Sequence, residues 1–173
     1  LQFAFGTELF KYIFFDDPDW AYAAYDFDNW ESDTRAGGAI LDATDPDLTH
    51  FNVAGGKIIY WSGWTDAALT ALGIIDYFED VQKQNTHATD FTRLFLMPGV
   101  HHCGGGPGPD AADWLTAIQA WVEENRAPDT LLATKRQQGK VIMQRPLCAY
   151  PARAVFLGEG DGTEPDQFRC ETP

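Results

Sequence analysis

Serine is almost absent from these 173 residues: only Ser32 and Ser62 occur. Neither stands in a Gly-x-Ser-x-Gly turn, the setting in which an α/β-hydrolase exposes its nucleophile between a strand and a helix. Basic residues are also scarce, 12 Lys and Arg against 26 Asp and Glu, for a formal net charge of −14 and a pI near 4.4. That balance makes the electrostatic term for binding a phosphate backbone or an anionic lipid surface repulsive, so neither nucleic acid nor a membrane is an expected partner. No apolar run approaches the ~20 residues that a membrane helix needs. Leu1 carries neither an initiator methionine nor a signal-peptide pattern, and the chain is expected to begin inside a longer protein.

Cysteine is sparse but informative, with three in all. Cys148 and Cys170 lie 22 residues apart, a spacing that suits a loop-closing disulfide. Such a bridge contributes about 3 kcal/mol by chain entropy in an oxidising compartment. Cys103 is then left over, and its partner is expected outside the chain. Three reduced thiols in a cytosolic protein are the alternative.

The remaining composition, 45% hydrophobic and 14% aromatic, suffices for one sizeable core, hence one domain or most of one. Residues Phe3 to Phe15 form an apolar, aromatic stretch with a short helix starting at Gly6 or Thr7 and ending at Asp16-Asp17-Pro18. From Asp17 to Asp47, aromatics alternate with acids and the expectation is an irregular, solvated acidic surface. A calcium loop would need alternating acids followed by Gly and a distal Glu, and that spacing is not met. A strand is expected over Lys57 to Trp61, then the loop Ser62-Gly63-Trp64-Thr65-Asp66. A helix from Ala68 to Gln84 follows, its stripe formed by Ala71, Ile74, Ile75, Phe78 and Val81. The almost unbroken apolar run Phe91 to Met97 predicts a strand covered on both faces. Its loop contains His101-His102-Cys103-Gly104-Gly105-Gly106, and a second helix is expected from an N-cap at Asp110, with Ala111, Trp114, Leu115, Ile118, Trp121 and Val122 on one face before Pro128. Beyond it, Thr134 to Gly139 predicts a polar connector, Lys140 to Met143 an edge strand, and Pro146 to Pro173 an irregular tail held by its cysteines.

Two consecutive strand–loop–helix units predict a parallel α/β sheet. In such sheets chemistry collects where loops leave the carboxyl ends of the strands, and Asp66 and His102 both fall there. An acid that accepts the Nδ1 proton of a histidine fixes its tautomer and stabilises the imidazolium that forms when Nε2 takes a proton. Acid before base is also the chain order of α/β-hydrolases. Taken singly, Asp66 is an acid suited to a helix N-terminus and His102 a hydrogen-bonded loop residue. Their paired placement favours the catalytic reading. Cys103 is poorly placed as a nucleophile, because it adjoins the base and neighbouring loop residues point different ways. A metal site on His101, His102 and Cys103 lacks a second Cys or His pair at zinc spacing. The glycines lack the Lys-Ser/Thr of a phosphate loop. His50 and His87 are isolated and expected on the surface.

Several segments together resemble the tannase and feruloyl esterase family: Phe14-Phe15-Asp16-Asp17-Pro18-Asp19-Trp20, Ala43-Thr44-Asp45-Pro46-Asp47-Leu48, Gly63-Trp64-Thr65-Asp66, Pro98-Gly99 with His102-Cys103-Gly104-Gly105-Gly106-Pro107, and Arg145-Pro146-Leu147-Cys148. The resemblance covers nearly the whole chain. It implies the C-terminal half of an α/β-hydrolase fold, with residues 1–30 as the end of a lid insertion and its return to the core. Residues 31–173 would then be the C-terminal part of the catalytic domain. The implied activity is Ser-His-Asp hydrolysis of carboxylic esters of phenolic or aromatic acids, with Asp66 as acid and His102 as base. The serine would lie outside these residues, in an N-terminal portion of the same protein. The family joins the cysteine before the nucleophile to the one after the histidine, which assigns half of that disulfide to Cys103. A structural calcium in the lid, no cofactor for catalysis and a secreted location are implied as well. The alternative of another class is a catalytically inactive α/β-hydrolase-like binding module.

Overall fold

A computed structural model describes residues 2–173, and the chain falls into two units, Leu1–Asp45 and Pro46–Pro173. In the first, helix α1 (Gln2–Leu9) passes into a π-helical turn, Phe10–Phe14. The rings of Phe10, Phe14, Phe15, Trp20, Tyr25 and Phe27 pack with centroids 5.1–6.0 Å apart, so this unit is held largely by aromatic contacts. Helix α2 (Trp30–Leu41) corrects the expectation of irregular structure throughout Asp17 to Asp47. Glu31 and Asp33 stand in its first turn, where the helix dipole favours acids, and Asp33 accepts a hydrogen bond from the Tyr25 hydroxyl at 3.0 Å. Part of what looks like a solvated acidic surface is therefore a helix start. Gly37 within α2 faces Phe14, where a Cβ would come within 2.0 Å of the ring.

The second unit opens with α3 (Thr49–Val53) and continues into β1 (Ile58–Gly63). Helix α4 (Ala71–Gln84) begins three residues later than the periodicity predicts. The reason is local: the Asp66 carboxylate takes the amides of Ala68 and Leu69 and keeps that segment a loop, while Thr70 caps the helix through the amide of Leu72. Phe78 and Val81 of α4 are buried, and Tyr60 of β1 meets Phe78 edge-on. At the far end Asn85 closes the helix, donating to the carbonyls of Val81 and Pro46 and accepting from Leu48 N.

Strand β2 (Thr92–Met97) pairs in parallel with β1, in register from Ile58↔Thr92 to Gly63↔Met97. Its residues Phe95 and Met97 form a core cluster with Val100, Ala133 and Leu147. Helix α5 (Trp114–Glu124) is capped by Asp113, which accepts from Thr116 N, and not by Asp110 as predicted. Trp121 of its expected stripe is buried, flanked by Lys57 and Arg93 at 5.6 and 5.0 Å from the ring, whereas Leu115 and Val122 are exposed.

After α5 the structure is more regular than expected. Strands β3 (Thr130–Gln137) and β4 (Lys140–Cys148) form an antiparallel hairpin across Gln138-Gly139. Both turn residues have positive φ, 49° and 80°, as a two-residue type I′ turn requires. The hairpin replaces the predicted connector and short edge strand. A second antiparallel pair, β5 (Arg153–Phe156) and β6 (Phe168–Glu171), replaces the irregular tail. Cys148 and Cys170 form a disulfide with Cα atoms 5.7 Å apart. No helix among the described residues is long and apolar enough to cross a membrane.

Candidate active site

The parallel register sets Gly63 beside Met97, so the loops after β1 and β2 leave the same edge of the sheet. Backbone bonds stitch the two loops together: Trp64 N donates to Met97 O at 2.9 Å and Thr65 N to Val100 O at 3.0 Å, with the Thr65 hydroxyl adding a third bond at 2.9 Å. Gly63 makes this approach possible. A Cβ there would lie 2.4 Å from His101 O and 2.5 Å from Val100 O, so any side chain would force the loops apart.

Asp66 and His102 meet across this seam, with Asp66 Oδ2 2.7 Å from His102 Nδ1. The other oxygen, Oδ1, accepts from Ala68 N at 2.7 Å and Leu69 N at 3.0 Å. The Leu69 amide, His102 and the Ala68 amide together hold the Asp66 carboxyl down at about 2. Its side chain is only 5% exposed, yet every lone-pair direction in use has a donor. An ionised carboxylate can only accept, so the Nδ1 of His102 carries a proton, and in the neutral ring Nε2 then presents a lone pair. The histidine side chain is 52% exposed. It lies in the wall of a cavity of about 540 Å³, lined also by Trp61, Ser62, Asp66, Leu69 and Ile74. The arrangement can accept a proton at Nε2 while the buried acid balances the resulting charge.

The neighbouring residues divide clearly. His101 places Nδ1 3.3 Å from the carbonyl of Thr65, not on Asp66. Cys103 is exposed and has φ 62°, followed by Gly104, Gly105 and Gly106 at 149°, 74° and 86°. The Ser62 hydroxyl is directed to Gly63 O at 3.5 Å and that of Ser32 to Asn29 O at 2.8 Å, and neither bond leads to His102. His50 and His87 are exposed.

Two residues at the site escaped sequence reasoning. Asp110 accepts from Gly105 N at 2.8 Å, which with the nearby Lys135 ammonium lowers its carboxyl. Lys135, on β3, donates to Gly106 O at 2.6 Å and stands 3.6 Å from Asp110. An acid at the close of a glycine run was a usable signal for the first. Nothing local marks the second, because Lys135 meets the loop from 29 residues further along the chain. Among the described residues no group of three or more His, Cys, Asp or Glu side chains is placed to hold one metal ion, and the acids of Asp17 to Asp47 do not converge into such a set.

Comparison with known proteins gives consistent matches. The family model for tannase and feruloyl esterase matches residues 5–171. The chain is similar to mono(2-hydroxyethyl) terephthalate hydrolase of Piscinibacter sakaiensis, 44% identical over 134 residues, covering 76% of this chain and 22% of that protein. It is 30% identical to feruloyl esterase C of Talaromyces stipitatus, covering 97% of this chain and 36% of that protein. The crystal structure of feruloyl esterase B from Aspergillus oryzae superposes with a TM-score of 0.87 at 25% identity, over 97% of this chain and 37% of that one. The chain thus spans roughly a fifth to a third of the length of these curated relatives.

Proposed function

The chain belongs to the tannase and feruloyl esterase family, and from that membership we propose that it supplies the acid and the base of a serine carboxylic-ester hydrolase. The observation that carries the proposal is the 2.7 Å bond between Asp66 and His102 at the carboxyl ends of two parallel strands. The nucleophilic serine lies outside residues 1–173, in the N-terminal portion of the same protein. Cys103 pairs with the cysteine beside that serine. Bridged Cα atoms stand ~5.5 Å apart, so this disulfide holds serine and histidine near hydrogen-bonding range. Residues 1–30 end a lid insertion and 31–173 complete an α/β-hydrolase domain. The structural calcium of the family belongs with the lid portion outside this chain. The disulfide Cys148–Cys170 suits a secreted protein.

His102 Nε2 takes the serine proton as Oγ attacks the ester carbonyl, and the imidazolium is stabilised by Asp66. Collapse of the tetrahedral intermediate passes that proton to the departing alcohol and leaves an acyl-serine. Water then enters by the same route, giving the acid and restoring the serine. Substrates are esters of phenolic or aromatic acids, supported by relatives named for ferulate and terephthalate esters and by the aromatic wall that Trp61 gives the cavity.

Treating the full-length protein with a fluorophosphonate probe tests this directly. The labelled serine maps outside residues 1–173, next to a cysteine, and His102→Ala abolishes both labelling and hydrolysis of methyl ferulate or methyl gallate. Labelling of Ser62, or hydrolysis that survives His102→Ala, overturns the proposal.

A further inference from the structure

The Asp66 bond fixes one atom of a half-exposed imidazole. The backbone that carries the ring needs support of its own, since Cys103 to Gly106 form four consecutive residues of positive φ, three of them glycines without side chains to pack. No strand ladder runs through this segment. We propose that Asp110 and Lys135 are positioning residues for His102, a clamp formed by the segment before α5 and by β3 that holds the glycine loop and through it the catalytic base. The proposal rests on the reading of His102 as that base.

The clamp grips the loop at opposite poles. Asp110 Oδ2 accepts from Gly105 N at 2.8 Å, and Lys135 Nζ donates to Gly106 O at 2.6 Å. The peptide between these two points sends its carbonyl, Gly105 O, back to His101 N at 3.3 Å, one residue from the base. A continuous path therefore runs from Lys135 and Asp110 through the Gly105–Gly106 peptide to the backbone of His101 and His102. Asp110 and Lys135 complete the set by facing each other at 3.6 Å, with side chains 27% and 18% exposed. That partial shielding preserves more of their attraction than open surface would.

The hairpin is built to deliver this contact. Ala111 and Thr134 exchange both backbone hydrogen bonds, 3.2 and 2.7 Å, which zips the chain just after Asp110 onto β3. Just past Lys135 the ladder shifts register, with Ile142 of β4 as the unpaired extra residue, so the hairpin turn does not set the pairing of Lys135 by simple counting. One further bond, Gly108 N to Gly99 O at 2.8 Å, and the close packing of Gly106 on Gly99 O close the base of the loop.

The test uses the full-length protein and follows fluorophosphonate labelling, with the rate constant and the final stoichiometry read separately. The rate reports the folded fraction alone, so a variant that folds poorly still gives an answer. Lys135→Met and Asp110→Asn each slow labelling about tenfold or more, the scale of effect that a small displacement of a catalytic group produces. KM for methyl ferulate stays within about twofold while kcat falls, because the substrate contacts are untouched. Lys135→Arg restores most of the rate, and the double variant is no slower than the slower single one, since both act through one clamp. Labelling of Lys135→Met and Asp110→Asn at the native rate, whatever their stoichiometry, overturns the clamp while leaving the esterase reading intact. If His102→Ala also labels at the native rate, the base assignment and the clamp fall together.

Discussion

Replacing Asp66 by Asn should be far more damaging than the loss of one charge implies, for a reason set by the other side of the carboxylate. Asp66 Oδ1 already accepts two backbone N–H groups, those of Ala68 and Leu69. An asparagine has one oxygen, and turning it toward His102 would aim its NH2 at those two donors. The amide must therefore keep its oxygen on the backbone and point its NH2 at Nδ1 of His102. A donor in that place requires Nδ1 to become an acceptor and moves the proton to Nε2, the atom that must accept from the nucleophile. The ring stays in position in the wrong tautomer, a change that costs about 10⁴ in kcat in enzymes of this mechanism. Turnover of methyl ferulate by the full-length Asp66→Asn protein should fall by that order with KM little changed, and ¹⁵N NMR of the histidine ring should show the proton on Nε2. A variant within about tenfold of the native kcat, or a ring that keeps its Nδ1 proton, would refute the reasoning.

Two further outcomes concern stability. Asp66 titrates at about 2 in the folded chain against an ordinary value of 3.8, so its contribution to stability is fully present above the ordinary value and is lost as the pH falls through about 2. The difference in Tm between native and Asp66→Asn protein should shrink as the pH is lowered from 5 toward 2 (roughly the interval of this titration), and a difference that stays constant would separate the acid from the fold. Replacing both Cys148 and Cys170 by Ser should cost about 3 kcal/mol, the chain-entropy term for a loop of this length. Guanidinium unfolding measures it, and a loss under about 1 kcal/mol would mean that the β5–β6 pair holds the tail unaided.

The part of this structure most legible in the sequence is the part whose residues are fixed by nearby neighbours. The runs Lys57 to Trp61 and Phe91 to Met97, each followed by a loop and an amphipathic helix, predict two parallel strands, which form as β1 (Ile58–Gly63) and β2 (Thr92–Met97). Once those strands are parallel, residues just beyond their carboxyl ends must converge, which is why Asp66 and His102 could be paired across 36 residues. Helix starts were less legible because acids have three uses. Asp66 takes the amides that would have begun α4 early, Asp113 and not Asp110 caps α5, and Glu31 and Asp33 open α2 instead of merely facing solvent. Composition does not separate these uses, because the same carboxylate serves as cap, surface charge or loop anchor according to which amide it reaches.

Least legible was the support behind the base. The contact between Lys135 and Gly106 depends on the register of a hairpin whose strands mix Lys, Arg and Gln with apolar residues and whose turn, Gln138-Gly139, is a weaker signal than Asn-Gly. It depends as well on a register shift opposite Lys135 and Arg136, with Ile142 of β4 as the extra residue, that no alternation predicts. The result is an asymmetric site. The acid, at 5% exposure, is finished by local bonds within one loop, whereas the base, at 52%, is borne on glycines and held from a strand that begins 28 residues later in the chain. On the proposed reading, a change in the hairpin that releases Gly106 would alter how firmly His102 is held without touching Asp66 or His102, because the hairpin meets the loop's backbone and not the imidazole.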